Sequence, residues 1–162
     1  MINHIMSEHL YQTFLQWTGN KGQGTKTYRT YDRAYQIEVQ NKPIIYGSSD
    51  PAFRGDKTKH NPEELLVASV SSCHMLWYLH LCAEAGVVVV DYCDRATGKM
   101  SETATGSGRF TEVILQPEVT ITADSSLEQA QLLHNKAHEF CFIANSVNFP
   151  IICQPSIAFT RH

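Results

Sequence analysis

The alternation of apolar and polar residues from Leu10 to Trp17 predicts a first strand. Gly19, Gly22 and Gly24 predict a flexible turn after it. The stretches Lys26–Tyr31 and Tyr35–Gln40, rich in Tyr, Thr, Ile and Val, predict further strands of a meander. Residues Tyr46–His60, punctuated by Gly47, Pro51 and Gly55, predict a loop that crosses to the next element.

The clearest element is a long helix opening at Asn61. Asn61 suits the cap, Pro62 sits where a missing N–H costs nothing, and Glu63 and Glu64 complement the positive end of the helix dipole. From Leu65 to His80 the polarity is too low for a surface helix, which predicts burial nearly all round. Gly86 ends the helix and Val87–Val90 begin a strand that continues through Asp91–Lys99. A turn over Met100–Gly106 precedes a long strand, Gly108–Ala123, with Pro117 expected at an edge or bulge. Ser125 or Ser126 caps a second helix from Leu127 to about Phe142, whose Ala130, Leu133, Ala137 and Cys141 share a face. Ile151–Thr160 predicts a last strand. Strands, long helix, two long strands, helix and strand define an α+β class with a meandering antiparallel sheet around a buried helix. Residues 1–162 read as a single domain.

The composition, 43% hydrophobic and 18% charged, supports a folded core. A net charge of -3 gives no basic face for a nucleic-acid partner, and Lys57 and Lys59 are bracketed by Asp56, Glu63 and Glu64. The longest apolar run, Gly86–Val90, is strand-sized, so no bilayer-spanning stretch is expected. The first residues lack the basic start and apolar run of a secretory signal, so a cytoplasmic location is expected. The five cysteines then read as free thiols in a reducing compartment.

Cys73 lies ten residues beyond Glu63 in the long helix, among Ser71, Ser72 and His74. A buried cysteine is commonly inert, but this polar neighbourhood and Cys141 near the end of the second helix point to a reactive pair. Thiols on two packed helices form a reversible disulfide when their Cα atoms approach within about 7 Å. A thiol peroxidase needs a thiolate, a cation to hold it and the peroxide, a carboxylate to fix the cation, and a second thiol to trap the sulfenic acid. The chain offers Cys73, Arg54 or Arg29, Glu63 or Glu64, and Cys141.

The run Asn61-Pro62-Glu63-Glu64-Leu65-Leu66-Val67-Ala68-Ser69-Val70-Ser71-Ser72-Cys73 resembles the central-helix motif of the OsmC/Ohr family, the osmotically induced and organic hydroperoxide resistance proteins. Ala137-His138-Glu139-Phe140-Cys141 is similar to the segment carrying that family's second cysteine. The resemblance covers nearly the whole chain. It implies an OsmC-like fold, an intertwined homodimer with two active sites at its interface, and a thiol-dependent peroxidase of organic hydroperoxides. Cys73 would be the attacking residue, Cys141 the resolving one, and Glu63 the carboxylate that orients the arginine. Phe53-Arg54-Gly55 resembles the loop arginine of one branch, while Arg29 in the first hairpin suits the other; Arg54 is favoured. The reductant would be an external dithiol: a lipoylated protein, thioredoxin or a small thiol. Phe142 stands where the family often has Pro, and His74, Trp77, Tyr78 and His80 are bulkier than usual after the first cysteine, which implies a reshaped substrate pocket.

Cys82, Cys93 and Cys153 read as core thiols or small apolar fillers. His74, His80, His134 and His138 meet only if the two helices pack, and without a paired-cysteine spacing zinc is the lesser reading. No metal and no cofactor is expected, there being no glycine-rich phosphate loop. Two other functions compete: a cysteine-pair redox sensor, and a non-catalytic small-molecule-binding homodimer.

Overall fold

The computed structural model describes residues 7–161. They form two compact units, one ending at Pro62 and one beginning at Glu63.

The first unit holds an antiparallel sheet of β1 (Phe14–Trp17), β2 (Tyr35–Glu38) and β3 (Ile45–Gly47) in that order. Leu15 pairs with Ile37, which pairs with Ile45. The Tyr35 ring packs on Gly47, where a Cβ would lie 2.1 Å from it. Lys26–Tyr31 is a series of turns rather than the expected strand. Local side-chain bonds replace the ladder there: the Thr30 hydroxyl donates to Thr27 O, and Arg33 donates to Tyr28 O and Tyr31 O, both at 2.7 Å. The expected loop Tyr46–His60 starts late, because Tyr46 and Gly47 complete β3. It also contains a 3-10 turn at Pro51–Phe53, capped by the Asp50 carboxylate and followed by Arg54 in left-handed conformation, φ 64°.

In the second unit, helix α1 (Pro62–Ala85) matches its predicted bounds. It stops where Gly86 turns left-handed at φ 72°, so that Val87 N–H reaches Cys82 O and Gly86 N–H reaches Ala83 O. By length and composition α1 could cross a bilayer, which corrects the expectation that no stretch is long enough. Within one chain the fully buried residues of α1 are Val70, His74, Tyr78 and Cys82, a stripe of period four, while Leu76 on the opposite side is 62% exposed.

The stripe rests on two sheets. Strands β4 (Val89–Asp94), β7 (Pro117–Ile121) and β9 (Ser156–Phe159) form one, with β7 central; β5 (Thr97–Glu102), β6 (Gly108–Leu115) and β8 (Ile151–Cys153) form the other, with β6 central. The expected long strand Gly108–Ala123 therefore breaks at Gln116, whose N–H turns to the Asp94 carboxylate at 2.7 Å. The last strand breaks similarly at Gln154 and Pro155, with Gln154 N–H on Leu115 O at 2.8 Å. Pro117 opens a central strand rather than lying on an edge, which a first position tolerates. β4–β7 and β5–β6 are antiparallel as expected, but β8 joins β6 and β9 joins β7 in parallel, so the sheets are mixed.

Helix α2 (Leu127–Phe140) is capped by the Ser126 hydroxyl, which accepts from Gln129 N. Its Ala130, Leu133 and Ala137 pack with Tyr78, Val119 and Ile121 in one core. Val70, Val113 and Leu115 form a second core beneath the first half of α1. His74 occupies the buried stripe between Val70 and Tyr78, at the seam of the two.

Candidate active site

Cys73, half-buried on α1, and Cys141, fully buried just past the end of α2, lie close enough for the two thiols to act on one another. Cys141 is held by a tight turn. Its N–H donates to His138 O, its carbonyl accepts from Asn145 N–H, and its Sγ accepts from Ala144 N–H at 3.4 Å. Burial pushes the Cys141 thiol up, the Ala144 N–H opposes this, and the Cys73 thiol beside it pushes up further.

One wall beside the pair is aromatic. Trp77, one turn beyond Cys73, stacks on Phe140 at 5.1 Å between centroids and meets Phe142 edge-on at 5.5 Å and His80 edge-on at 5.7 Å. Phe140 and Phe142 flank Cys141 in the chain, so the same turn that holds the thiol aims both rings at Trp77. Leu76, Trp77 and His80 line an open cavity of about 270 Å³.

Glu63 lies in the first turn of α1, ten residues before Cys73. A helix rises 1.5 Å per residue, so the two are separated by about 15 Å along one chain. Arg54 and Arg29 belong to the first unit. Arg54 follows the 3-10 turn with its guanidinium 5.9 Å from the Tyr28 ring, whose hydroxyl donates to Phe53 O. Arg29 is exposed in the turns after β1, its N–H on the Thr27 hydroxyl.

Of the remaining thiols, Cys82 is the expected core residue, its pKa raised by burial. Cys93 is exposed on β4 with its thiol 3.7 Å from the Glu118 carboxylate, because its position alternates outward, so it is not a buried filler. Cys153 is no inert filler either: its Sγ lies 3.6 Å from His74 Nε2 and 3.9 Å from His134 Nδ1, and the two nitrogens are 3.1 Å apart. His74 and His134 do meet, as packed helices allow, whereas His80 turns outward onto Trp77. The readable signal was a histidine in the middle of each helix's apolar stripe. Nothing in the spacing pointed to Cys153, which the fold delivers from β8.

Two sheets crossed by a long helix, with a thiol on that helix meeting a thiol at the end of the next, define an α+β protein built around a cysteine pair. The chain belongs to the OsmC-like protein family, whose model matches residues 55–155. An OsmC-like protein of unknown function from Vibrio cholerae is 33% identical, with a TM-score of 0.81 over 93% of this chain and 100% of that one. The fold is also shared with an organic hydroperoxide resistance protein from Elizabethkingia anophelis, solved with thiocyanate bound, at 19% identity, TM-score 0.66 and coverage of 95% and 100%. A putative organic hydroperoxide resistance protein from Vibrio cholerae, with captopril in one of its active sites, is 22% identical with a TM-score of 0.61 and 93% coverage of both chains. The chain has no significant match among curated protein sequences. Family and paired thiols together support thiol-based redox chemistry.

Proposed function

We propose that this protein is a thiol-dependent peroxidase that reduces organic hydroperoxides to alcohols. The observation that carries the reading is the nearness of the Cys73 and Cys141 thiols beside an aromatic wall. The Cys73 thiolate attacks the distal peroxide oxygen, the O–O bond breaks, and the leaving alkoxide takes a proton to become the alcohol. Cys73 is left as a sulfenic acid. The Cys141 thiol condenses with it, forming the S–S bond and releasing water. An external dithiol, such as a lipoylated protein, thioredoxin or a small thiol, then returns two electrons and two protons and is itself oxidised.

An arginine, Arg54 in preference to Arg29, holds the thiolate and the peroxide, and Glu63 orients that arginine. An arginine side chain cannot bridge about 15 Å, so in this reading Glu63 of one chain serves Cys73 of a second copy. The active protein is then a homodimer in which residues 1–162 of each chain act as one domain. Such a dimer also covers the exposed side of α1, giving that helix its predicted all-round burial. The Trp77, Phe140 and Phe142 wall favours alkyl and aryl peroxides, since hydrogen peroxide gains nothing from it. Neither a membrane nor a nucleic acid takes part, and the expected site of action is the cytoplasm.

Stopped-flow oxidation of the reduced protein by cumene hydroperoxide, with mass analysis of the product, tests the reading. Fast loss of two thiols joined as Cys73–Cys141, followed by turnover with a dithiol, is expected. One fast oxidation without turnover means a redox sensor. Slow, scattered oxidation overturns both in favour of a binding protein.

A further inference from the structure

We propose that His74, His134 and Cys153 form a buried zinc site, separate from the Cys73–Cys141 pair. His74 Nε2, His134 Nδ1 and Cys153 Sγ all lie within 4.8 Å of one another. A tetrahedral zinc ion, with bonds of about 2.0–2.1 Å to nitrogen and about 2.3 Å to sulfur, holds its nitrogens about 3.3 Å apart and nitrogen about 3.6 Å from sulfur. The separations here are 3.1, 3.6 and 3.9 Å.

Each donor comes from a different rigid element, α1, α2 or β8. Both imidazoles are 1% exposed, and the Tyr78 ring stacks on one face of His134 at 3.8 Å. Cys153 is only partly buried and offers the way in. Burial holds both histidines neutral and keeps Cys153 a thiol. Neutral imidazoles and a thiol that loses one proton make a borderline-soft ligand set suited to zinc rather than to magnesium or calcium.

The charges balance as well. Two neutral imidazoles, one thiolate and Zn²⁺ sum to +1, and the Asp94 carboxylate near His74 supplies -1. Asp94 is itself fixed by the Ser71 hydroxyl at 2.5 Å and the Gln116 N–H at 2.7 Å. The imidazoles are nearly coplanar, 5° apart with centroids at 5.4 Å, which is a straight N–H···N hydrogen bond. Zinc takes the place of that shared proton, and each ring swings by roughly 30–40° toward Cys153 to aim its lone pair at the ion. The inner proton moves to an outer ring nitrogen, and the Cys153 proton is released. The two outer nitrogens, His74 Nδ1 and His134 Nε2, have no protein partner, so no competing bond holds either ring to its present tautomer.

The test uses the reduced full chain carrying Cys73→Ser and Cys141→Ser, which removes the other thiol pair. Titration with Co²⁺ is expected to saturate at one equivalent, with a thiolate-to-cobalt charge-transfer band, the visible bands of tetrahedral cobalt and displacement by Zn²⁺. Adding Cys153→Ser should abolish the charge-transfer band and weaken binding at least tenfold. Absence of the band in the double variant, or its survival after Cys153→Ser, overturns the proposal. Should the triple variant not fold, X-ray absorption of the zinc-loaded double variant decides. Two nitrogens and one sulfur around zinc support the site; oxygen and nitrogen alone overturn it. No readout depends on peroxidase activity.

Discussion

Cys73 and His74 are neighbours in the chain, yet one lies near Cys141 on the half-buried side of α1 while the other is sealed beneath it against His134. About 100° of helical rotation separates them. A substitution at Cys73 should therefore leave the histidine pair intact, and one at His74 should reach the thiol pair only through the packing of α1.

Cys73→Ser should reduce peroxide consumption to that of buffer. Cys141→Ser should still lose one thiol quickly but accumulate sulfenic and then sulfinic acid at Cys73, because the partner that condenses with it is gone. Mass spectrometry with a sulfenic-acid trap distinguishes the two variants. An unmodified Cys73 in Cys141→Ser after peroxide treatment would count against its assignment as the attacking residue.

Trp77→Ala removes the ring on which Phe140 and Phe142 pack. Losing a partly exposed aromatic contact of about 1–2 kcal/mol should lower kcat/KM for cumene hydroperoxide by about tenfold. Hydrogen peroxide should be reduced nearly as well as before. Comparable losses for both substrates would mean that the ring supports the fold rather than the substrate.

Gly86→Ala places a side chain on a residue at φ 72°, where its Cβ meets nothing within 4 Å. The cost is thus one of backbone conformation, about 1 kcal/mol. Urea denaturation should show a lower midpoint with an unchanged slope. A neutral result would mean that the helix end relaxes into another turn.

Burial holds His74 down at about 4 and His134 at about 3; the Asp94 carboxylate pulls His74 up, while His138 pushes it down and His74 pushes His134 down. Tyr78 and Cys153, which also face the rings, stay neutral here, their pKa values raised by burial. In the unfolded chain both imidazoles titrate near 6.5. Below that pH the unfolded state binds protons that the folded state refuses. In chelator-treated protein this contribution to stability is complete above about pH 6.5. It falls with pH by up to about 1.4 kcal/mol per unit for each ring. Denaturation midpoints measured from pH 7.5 down to 4.5 check this, and a flat profile contradicts it.

Helix α1 was legible because both ends are chemically marked, by Pro62, Glu63 and Glu64 at the start and Gly86 at the finish. The breaks at Gln116 and Gln154 were not. Apolar residues keep their period of two through each corner, so alternation cannot show that the strand has changed sheets. Lys26–Tyr31 misled because β-favouring residues bind their own backbone through Thr30 and Arg33. The nearness of Cys73 and Cys141 was readable from a motif and a second thiol at a helix end. The His74, His134 and Cys153 cluster joins residues 60 and 19 positions apart on three elements, and local spacing carries no such information.

Because Leu115 and Gln154 are joined where both ribbons change sheets, residues 151–159 complete both sheets in a single pass. During synthesis, β4 to β7 and both helices emerge before either sheet has its third strand. The second unit therefore has to wait for its final segment, and a ribosome stalled before Ile151 would carry a chain that lacks a strand in each sheet and the thiol of Cys153.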